Sequence, residues 1–176
     1  MQITISECPT SDYCELGELT VAVYSGLANM PSRDVMPEYY QLLRDTQSRA
    51  ENPATKIFAA YDESNQLLGG VTFIGDMAFY GSCGSATTIK NSAGFRLLAV
   101  APEAHGLGVG KALSVYCIDQ ARRLNVEQII IHSTHAMQVA WKMYEKLGFE
   151  PFPEIDFNQS GLAVFGFRKR LVGTKG

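Results

Sequence analysis

The stretch Ala104–Leu113 reads AHGLGVGKAL, and it follows an apolar run, FRLLAV, over Phe95–Val100. Its three glycines, Gly106, Gly108 and Gly110, stand at every second position before a basic residue and a helical pattern. Glycine lets a backbone approach a ligand without a Cβ atom in the way, and it also adopts positive φ angles. Where such a loop opens a helix, the free N–H groups of the first turn and the helix dipole favour an anion, usually a phosphate. The order of strand, glycine loop and helix therefore predicts a phosphate-binding loop.

Spacing separates the kinds of phosphate-binding loop that this stretch could form. A mononucleotide loop requires GxxxxGK[ST], but the position five before Gly110 is His105, and Ala112 follows Lys111 where a magnesium-binding hydroxyl is needed. A dinucleotide loop requires GxGxxG and an acidic residue closing the next strand, whereas this loop is GxGxG and that strand ends IIIHST. A nucleotide-binding protein is therefore disfavoured, and magnesium-dependent binding of ATP would be needed to support it.

Two motifs of the chain resemble those of the GNAT superfamily of acyl-CoA-dependent N-acyltransferases. Val100-Ala101-Pro102 leads into His105–Gly110, similar to the family's V-x-P followed by Q/R-x-x-G-x-G/A at the start of a helix. The segment AWKMYEKLGFEP, Ala140–Pro151, is similar to the second hallmark, A-x-x-x-Y-x-K-x-G-F. The resemblance covers almost the whole chain, is strongest over Arg96–Pro151 and is weak before Lys56. Two motifs at the expected separation are far more specific than one glycine loop.

The resemblance implies acetyl-CoA as the co-substrate. In the family, backbone amides of the glycine loop hold the CoA pyrophosphate, and the end of the preceding strand pairs with the pantetheine arm beside a splayed gap. The residues that would carry these roles here are Leu98, Ala99, Val100, His105, Gly106, Leu107, Gly108, Val109, Gly110, Lys111 and Ala112.

The resemblance also implies that Tyr144 protonates the departing CoA sulfur. Many relatives carry a glutamate two residues before Arg96, but that position is Gly94, so the general base stays open. His132 and His135 near the end of the next strand are candidates, because histidine titrates near neutral pH. The alternative for each histidine is a structural role, in which its ring makes hydrogen bonds that support the fold. The alternative for Tyr144 is a core tyrosine on the apolar face of a helix, together with Val139, Ala140, Met143 and Leu147.

We expect neither a metal site nor a covalent intermediate. His132 and His135 have no further Cys, His or acidic ligand nearby in the sequence, and the four cysteines lack CxxC pairing. Cys117 falls within the helix after the glycine loop and is expected to be buried, so that an acyl-cysteine is not proposed.

Composition bounds the class of protein. A length of 176 residues predicts one domain, residues 1–176, because domains cluster near ~100–150 residues. A net charge of -3 without a long Lys/Arg run disfavours nucleic acid as a partner. No uninterrupted apolar run of about 20 residues occurs, and no basic segment precedes an apolar one at the N-terminus. We therefore expect a cytoplasmic protein without a membrane partner.

The pattern of apolar residues predicts an α/β fold. We expect one helix over Met36–Ala50, a hairpin of two strands around Asn65, and a long loop over Asp76–Asn91. A strand, helix and strand follow, and then a helix over Ala136–Phe149 that ends at Gly148. The family resemblance implies a mixed, mostly antiparallel sheet flanked by helices, with a splayed strand pair that binds acyl-CoA.

The chain is thus predicted to transfer an acetyl group from acetyl-CoA to a primary amine by direct attack in a ternary complex. The alternative is a non-catalytic acyl-CoA-binding sensor or regulatory domain, which the glycine at position 94 makes conceivable. We expect the acceptor pocket around Met36–Tyr40 and Asp76–Tyr80. The net acidity, including Glu38, Glu154 and Asp156, favours a cationic acceptor such as a polyamine, an aminoglycoside, an amino-acid derivative or a protein N-terminus. An apolar last strand is compatible with a homodimer, although an ordinary core strand has the same sequence.

Overall fold

A mixed sheet forms the centre of this chain in the computed structural model, which describes residues 1–171. The strands are β1 (Thr4–Glu7), β2 (Thr55–Tyr61), β3 (Leu67–Ile74), β4 (Ser92–Val100), β5 (Gln128–Ser133), β6 (Glu150–Pro151), β7 (Phe157–Gln159) and β8 (Leu162–Arg170). The helices are α1 (Tyr13–Ser25), α2 (Pro37–Arg44), α3 (Thr46–Glu51), α4 (Val109–Arg123) and α5 (Gln138–Lys146).

The sheet is mostly antiparallel. Its strand order is β1-β2-β3-β4-β5-β8-β6, and β7 pairs with β8 off this path. Strands β4 and β5 are parallel, and α4 connects them, since parallel neighbours require a long crossover. The fold that the resemblance implies is confirmed. None of the helices between residues 1 and 171 is long and apolar enough to cross a membrane.

The helices bury apolar residues against the sheet. The main core contains Phe95 of β4, Ile129 of β5 and Leu113 of α4, each at most 1% exposed, and α5 contributes Tyr144 to it. Helices α1 and α2 form a second core with the end of β4, through residues such as Leu97. The helices of both cores therefore pack against strand β4 as it approaches the glycine turn.

Two helices differ from the sequence prediction. The predicted helix over Met36–Ala50 is wrong as a single element, because Asp45 leaves the helical region (φ -86°, ψ 74°) and its carboxylate accepts from the Ser48 N–H at 3.0 Å. This cap starts a new helix, α3. The predicted helix over Ala136–Phe149 begins with a 3-10 turn, and Val139 is 87% exposed rather than on its apolar face.

Strands β4 and β5 splay apart. Within the described chain they pair over Ser92–Gly94 and Gln128–Ile130, and beyond this point β5 pairs with β8 alone. A bulge that the sequence did not predict lies in the diverging part of β4, where Leu97 has a φ of +56°. The splayed gap is confirmed, and the bulge turns the strand within it.

Candidate functional site

The glycine turn opens towards solvent at the start of α4. Gly108 is the N-cap residue with a φ of +85°, and Gly106 has a φ of +78°. A Cβ atom added to either glycine would meet nothing within 4 Å. The two glycines therefore provide backbone conformation and leave the space above the turn open.

Successive backbone amides at this turn have no partner in the part of the chain that the structure describes. The unpaired N–H groups belong to Gly108, Val109, Gly110 and Lys111, and the next one, of Ala112, donates to the Gly108 carbonyl at 2.9 Å. Free amides at a helix N-terminus bind anions because they lie at the positive end of the helix dipole. The residues present thus fit the pyrophosphate that the family resemblance implies.

The end of β4 turns alternate backbone groups towards the gap. The Ala101 N–H donates to the Leu68 carbonyl of β3 at 2.9 Å, so the alternate residues Leu98 and Val100 face the opposite edge. The fully buried Ala99 has its carbonyl beside Gly69 of β3. We therefore expect Leu98 and Val100, rather than Ala99, to meet a ligand in the gap.

These two gap-facing carbonyls each accept a hydrogen bond. The Tyr24 hydroxyl donates to the Leu98 carbonyl at 3.3 Å, and the His105 Nε2–H donates to the Val100 carbonyl at 3.2 Å. His105 is exposed. Its hydrogen bond to Val100 links the glycine turn to the end of β4. Of the other predicted residues in the turn, Lys111 and Leu107 are exposed, whereas Val109 is buried.

Tyr144 lies where the gap begins. Its side chain is 5% exposed and packs against Phe149 and Phe95, with ring centroids 5.6 and 6.0 Å away, and Phe95 is the first residue of β4 beyond the pairing with β5. Burial raises the pKa of the Tyr144 hydroxyl, which keeps its proton at neutral pH. These contacts are compatible with packing and with proton donation, so its catalytic role stays a prediction.

His132 is held by hydrogen bonds at both ring nitrogens. Its Nε2 lies 3.0 Å from the Ile155 carbonyl and its Nδ1 lies 3.2 Å from the Tyr80 hydroxyl. Because a carbonyl can only accept, Nε2 carries the proton, and Nδ1 of the neutral ring accepts from Tyr80. Burial lowers the pKa of His132 below its usual 6.5, so the ring is neutral at pH 7. We call these two residues the His132–Tyr80 pair.

His135 has different surroundings from His132. It is exposed, and its ring packs against Phe165 and Trp141 with centroids 4.6 and 5.2 Å away. It does not belong to the described residues that line the cleft around His132. The structure does not bring the two histidines into one cluster and favours His132 as the candidate base.

Gly94 makes room for the His132–Tyr80 pair. A Cβ atom at this position would lie 2.8 Å from the Met77 sulfur and 2.9 Å from Cε2 of Tyr80. Tyr80 therefore occupies space beside β4 that a larger residue, such as the glutamate of many relatives, would need. Tyr80 is 2% exposed, and burial raises its pKa to about 12 despite the charge of Arg96 nearby.

A cleft of about 80 Å³, which we call the Arg96 cleft, lies at the splayed end of the sheet. Its lining includes Tyr24, Tyr39, Tyr80, Arg96, Leu97 and His132. The hydroxyl oxygens of Ser82, Ser133 and Thr134, which also line it, are buried without a hydrogen-bond partner among the described residues. A buried hydroxyl without a partner is costly, so these groups are available to a bound molecule.

Part of this cleft was predicted from the sequence. Met36, Tyr39 and Tyr80, from the two segments predicted to form the acceptor pocket, line it. Ser133 and Thr134 were not predicted, although a polar pair shortly after the apolar run Ile129–Ile131 was a usable signal. Nothing in the sequence pointed to Tyr24, whose hydroxyl reaches β4 across 74 positions of the chain.

Neither metal binding nor an accessible thiol is supported at this site. Between residues 1 and 171, no group of three or more His, Cys, Asp or Glu side chains could hold a metal ion. Cys117 is fully buried, as predicted, and burial raises the pKa of its thiol well above the usual value. A protonated, inaccessible thiol is a poor nucleophile.

Solved structures share this fold at low sequence identity. A GNAT-family acetyltransferase from Staphylococcus aureus has a TM-score of 0.72 at 18% identity, covering 97% of this chain and 99% of that one. The PaiA N-acetyltransferase from Thermoplasma acidophilum, in complex with coenzyme A, has a TM-score of 0.72 at 18% identity, covering 97% and 100%. YncA from Salmonella typhimurium, with its cofactor acetyl-CoA, has a TM-score of 0.67 at 16% identity, covering 100% and 98%.

The sequence itself gives a more specific match. A comparison with curated proteins finds no match. The model of the acetyltransferase (GNAT) family, however, matches residues 21–149, which include the glycine turn, the splayed strands and the helix of Tyr144. The chain belongs to the acetyltransferase (GNAT) family.

Proposed function

We propose that this protein transfers an acetyl group from acetyl-CoA to a primary amine by direct attack in a ternary complex. The observation that carries the proposal is the row of unpaired amides from Gly108 to Lys111 beside the splayed gap, in a chain of an acetyltransferase family. Acetyl-CoA, when bound, supplies a thioester whose acetyl carbon the amine attacks. Coenzyme A and acetyl-CoA in solved structures of the same fold support this co-substrate.

The glycine turn and the end of β4 would hold the co-substrate. The amides from Gly108 to Lys111 donate to the pyrophosphate, and the exposed Lys111 adds a positive charge at the same helix end. Leu98 and Val100 offer gap-facing backbone groups, and their side chains lie within 4 Å of where a Cβ of Gly110 would be. Gly110 at the start of α4 therefore lies close to both side chains at the strand end.

The proposed chemistry contains three proton transfers. As the C–N bond forms, the Tyr80 oxygen takes a proton from the attacking nitrogen and passes its own proton to Nδ1 of His132. As the C–S bond breaks, the Tyr144 hydroxyl donates its proton to the sulfur. The neutral state of His132 and the protonated state of Tyr144 at pH 7 both support these roles.

The second candidate function is a non-catalytic acyl-CoA-binding sensor or regulatory domain. The observation that favours it is Gly94, which stands where many relatives carry the glutamate associated with a water-relayed base. Tyr80, which packs over Gly94 and bonds to His132, would supply a base at this place, and this supports catalysis over sensing. A homodimer and a cytoplasmic location stay predictions. Because β8 lies between β5 and β6, a core strand accounts for its apolar residues.

Calorimetric titration of acetyl-CoA, CoA and ATP into the purified protein tests the proposal. We expect micromolar binding of acetyl-CoA and none of ATP, followed by release of free thiol when amines are screened. Binding without turnover across a broad amine panel would instead support the sensor. Absence of acetyl-CoA binding would overturn both candidate functions.

A further inference from the structure

Two arginines near the candidate site lack an acidic partner. Arg49 of α3 is 6% exposed, and its Nη1 donates to the carbonyls of Leu42 and Leu43 at 2.6 Å each. Its Nε donates to the Thr72 hydroxyl at 3.2 Å. Arg49 forms no ion pair with a carboxylate of residues 1–171. A buried guanidinium whose charge is not neutralised creates a strong local positive potential.

Arg96 of β4 is the second arginine without an acidic partner. Its Nη1 donates to the Tyr80 carbonyl at 2.9 Å, and its guanidinium lies 5.5 Å from the centroid of the Tyr80 ring. Its Nε and Nη2 make no hydrogen bond, and it forms no ion pair, in the part of the chain covered by the structure. Arg96 therefore keeps N–H groups free for a ligand.

The two arginines meet in one continuous space. A cleft of about 430 Å³, which we call the Arg49 cleft, is lined by both Arg49 and Arg96. Tyr80, Arg96 and Leu97 line this cleft and the Arg96 cleft alike, so the two adjoin. A molecule bound across Arg96 therefore lies beside the His132–Tyr80 pair as well.

The charge in this space is positive. Burial, and then the charge of Arg96, lower the pKa of Arg49 to about 10. Among the described residues that line the Arg96 cleft there is no carboxylate to face Arg96. The one carboxylate found along the described lining of the Arg49 cleft, Glu51, is exposed and accepts from Gln47 at 2.6 Å.

We propose that the acceptor amine also carries an acidic group, a carboxylate or a phosphate, which binds to the free N–H groups of Arg96 while Arg49 adds positive charge behind it. This inference rests on the proposed function, since it names the substrate class of the same site. The planar guanidinium matches the paired oxygens of such anions, and charge-assisted hydrogen bonds of this kind are short and strong.

The positive charge of this space narrows the expectation of a cationic acceptor, because it disfavours a polyamine and is compatible with an amino-acid derivative. That expectation came from net charge, which is set by the whole surface, whereas the described lining of the Arg96 cleft offers an arginine and no carboxylate. A polyamine would bring ammonium groups next to an arginine without a counter-ion, and like charges repel strongly in a partly buried site. The same positive charge favours the neutral form of an acceptor amine, which is the form that attacks.

The test uses pairs of amines that differ in the acidic group alone. Each L-amino acid of a panel is compared with its carboxamide, O-phosphoethanolamine is compared with ethanolamine, and spermidine represents the polyamines. Binding to the CoA-saturated protein is measured by calorimetry, which requires no turnover, and kcat/KM is measured by release of thiol. The variants are Arg96→Gln and, as the control, Arg122→Gln. Arg122 is an exposed arginine on α4, paired with Asp119 at 2.9 Å.

We expect at least one acidic amine to bind and to react at least ten-fold better than its neutral partner. That preference disappears in Arg96→Gln and persists in Arg122→Gln, and the carboxylate and phosphate arms identify the anion. Equal binding of all pairs, preference for spermidine, or a preference that survives Arg96→Gln would overturn the inference. The acetyl-CoA titration tests the proposed function independently of the acceptor. A failure of the proposed function is therefore distinguishable from a failure of the inferred acceptor class.

Discussion

The glycine turn and the Arg96 cleft are built in opposite ways. The turn, Ala104–Lys111, is one continuous stretch whose working groups are backbone amides. The Arg96 cleft is formed by side chains from α1, from the loop before β4, and from β4 and β5. A site made of neighbouring amides depends on local conformation, whereas a site made of distant side chains depends on how the whole domain packs.

The two regions also respond differently to substitution. A new Cβ atom at Gly106 or Gly108 meets no protein atom within 4 Å, so its cost falls on the ligand and on the local φ angle. A new side chain beside the cleft meets packed atoms, so its cost falls on folding as well. This difference between the turn and the cleft leads to four predictions, in order of decreasing effect.

Tyr144 packs on Phe95 where the splayed gap begins, and its substitution has the largest expected effect. Tyr144→Phe removes the hydroxyl and keeps the ring that packs on Phe95 and Phe149. We expect kcat to fall by about 10²-fold, because a positioned proton donor typically contributes ~10²–10⁴-fold. Affinity for acetyl-CoA stays within about two-fold, since the ring packing is retained. Steady-state kinetics and calorimetry measure the two quantities.

Tyr116→Phe is the matched control for Tyr144→Phe. Tyr116 is a half-buried tyrosine on α4 whose ring packs on Phe58 at 4.9 Å. Its loss of a hydroxyl should leave kcat unchanged. An unchanged rate in Tyr144→Phe would remove Tyr144 from the proposed chemistry.

Gly94→Ala tests how tightly the cleft region is packed. The new Cβ would lie 2.8 Å from the Met77 sulfur, and 2.9 Å from the Ile130 carbonyl and from Tyr80. We expect the free energy of unfolding to fall by ~1–3 kcal/mol, as for other overpacked cores. Denaturant titration measures it. Gly26→Ala is the control, because its Cβ would lie no closer than 3.4 Å to another atom, and equal losses in both variants would contradict the packing at Gly94.

Gly108→Ala tests the turn in the same way. An L-residue in the left-handed region costs roughly 1–2 kcal/mol, so the turn relaxes and its amides lose their alignment. We expect affinity for acetyl-CoA to fall by about ten-fold, since one hydrogen bond to a charged group contributes ~1.5–3 kcal/mol. Gly161→Ala is the control, since Gly161 has a φ of +84° and equally open surroundings in the turn before β8. A similar loss of affinity in both variants would contradict the anion site.

The smallest expected effect is a dependence of kcat/KM on pH that arises from His132 in the Arg96 cleft. Burial lowers the pKa of His132 below 6.5, so kcat/KM should rise with pH through that lowered value and gain nothing further from this group above it. The folded protein also loses stability as pH falls from 6.5 towards the lowered pKa, because the unfolded chain binds the proton first. In His132→Gln the acidic limb should vanish. An identical pH profile in both proteins would exclude His132 as the base.

The local parts of the fold were predictable, and their exceptions have physical causes. The hairpin around Asn65 and the end of α5 just before Gly148 follow from residues that adopt positive φ angles, and both are confirmed. The break between α2 and α3 was not predicted, because Asp45 acts as a helix cap inside an otherwise helical pattern. The exposure of Val139, which lies in the first turn of α5, was not predicted from the apolar pattern.

The candidate site also has parts that were predictable from neighbouring residues and parts that were not. Sequence alone determined the glycine turn, the kind of ligand that it fits and the helix of Tyr144, because these depend on residues adjacent in the chain. Tertiary structure alone decided the bulge at Leu97, the contact of His132 with Tyr80, and the shared space of two arginines 47 positions apart. The conformation of the glycine turn is set by near neighbours in the chain, whereas the bulge in β4 and the position of a side chain in a cleft are set by the elements that pack around them.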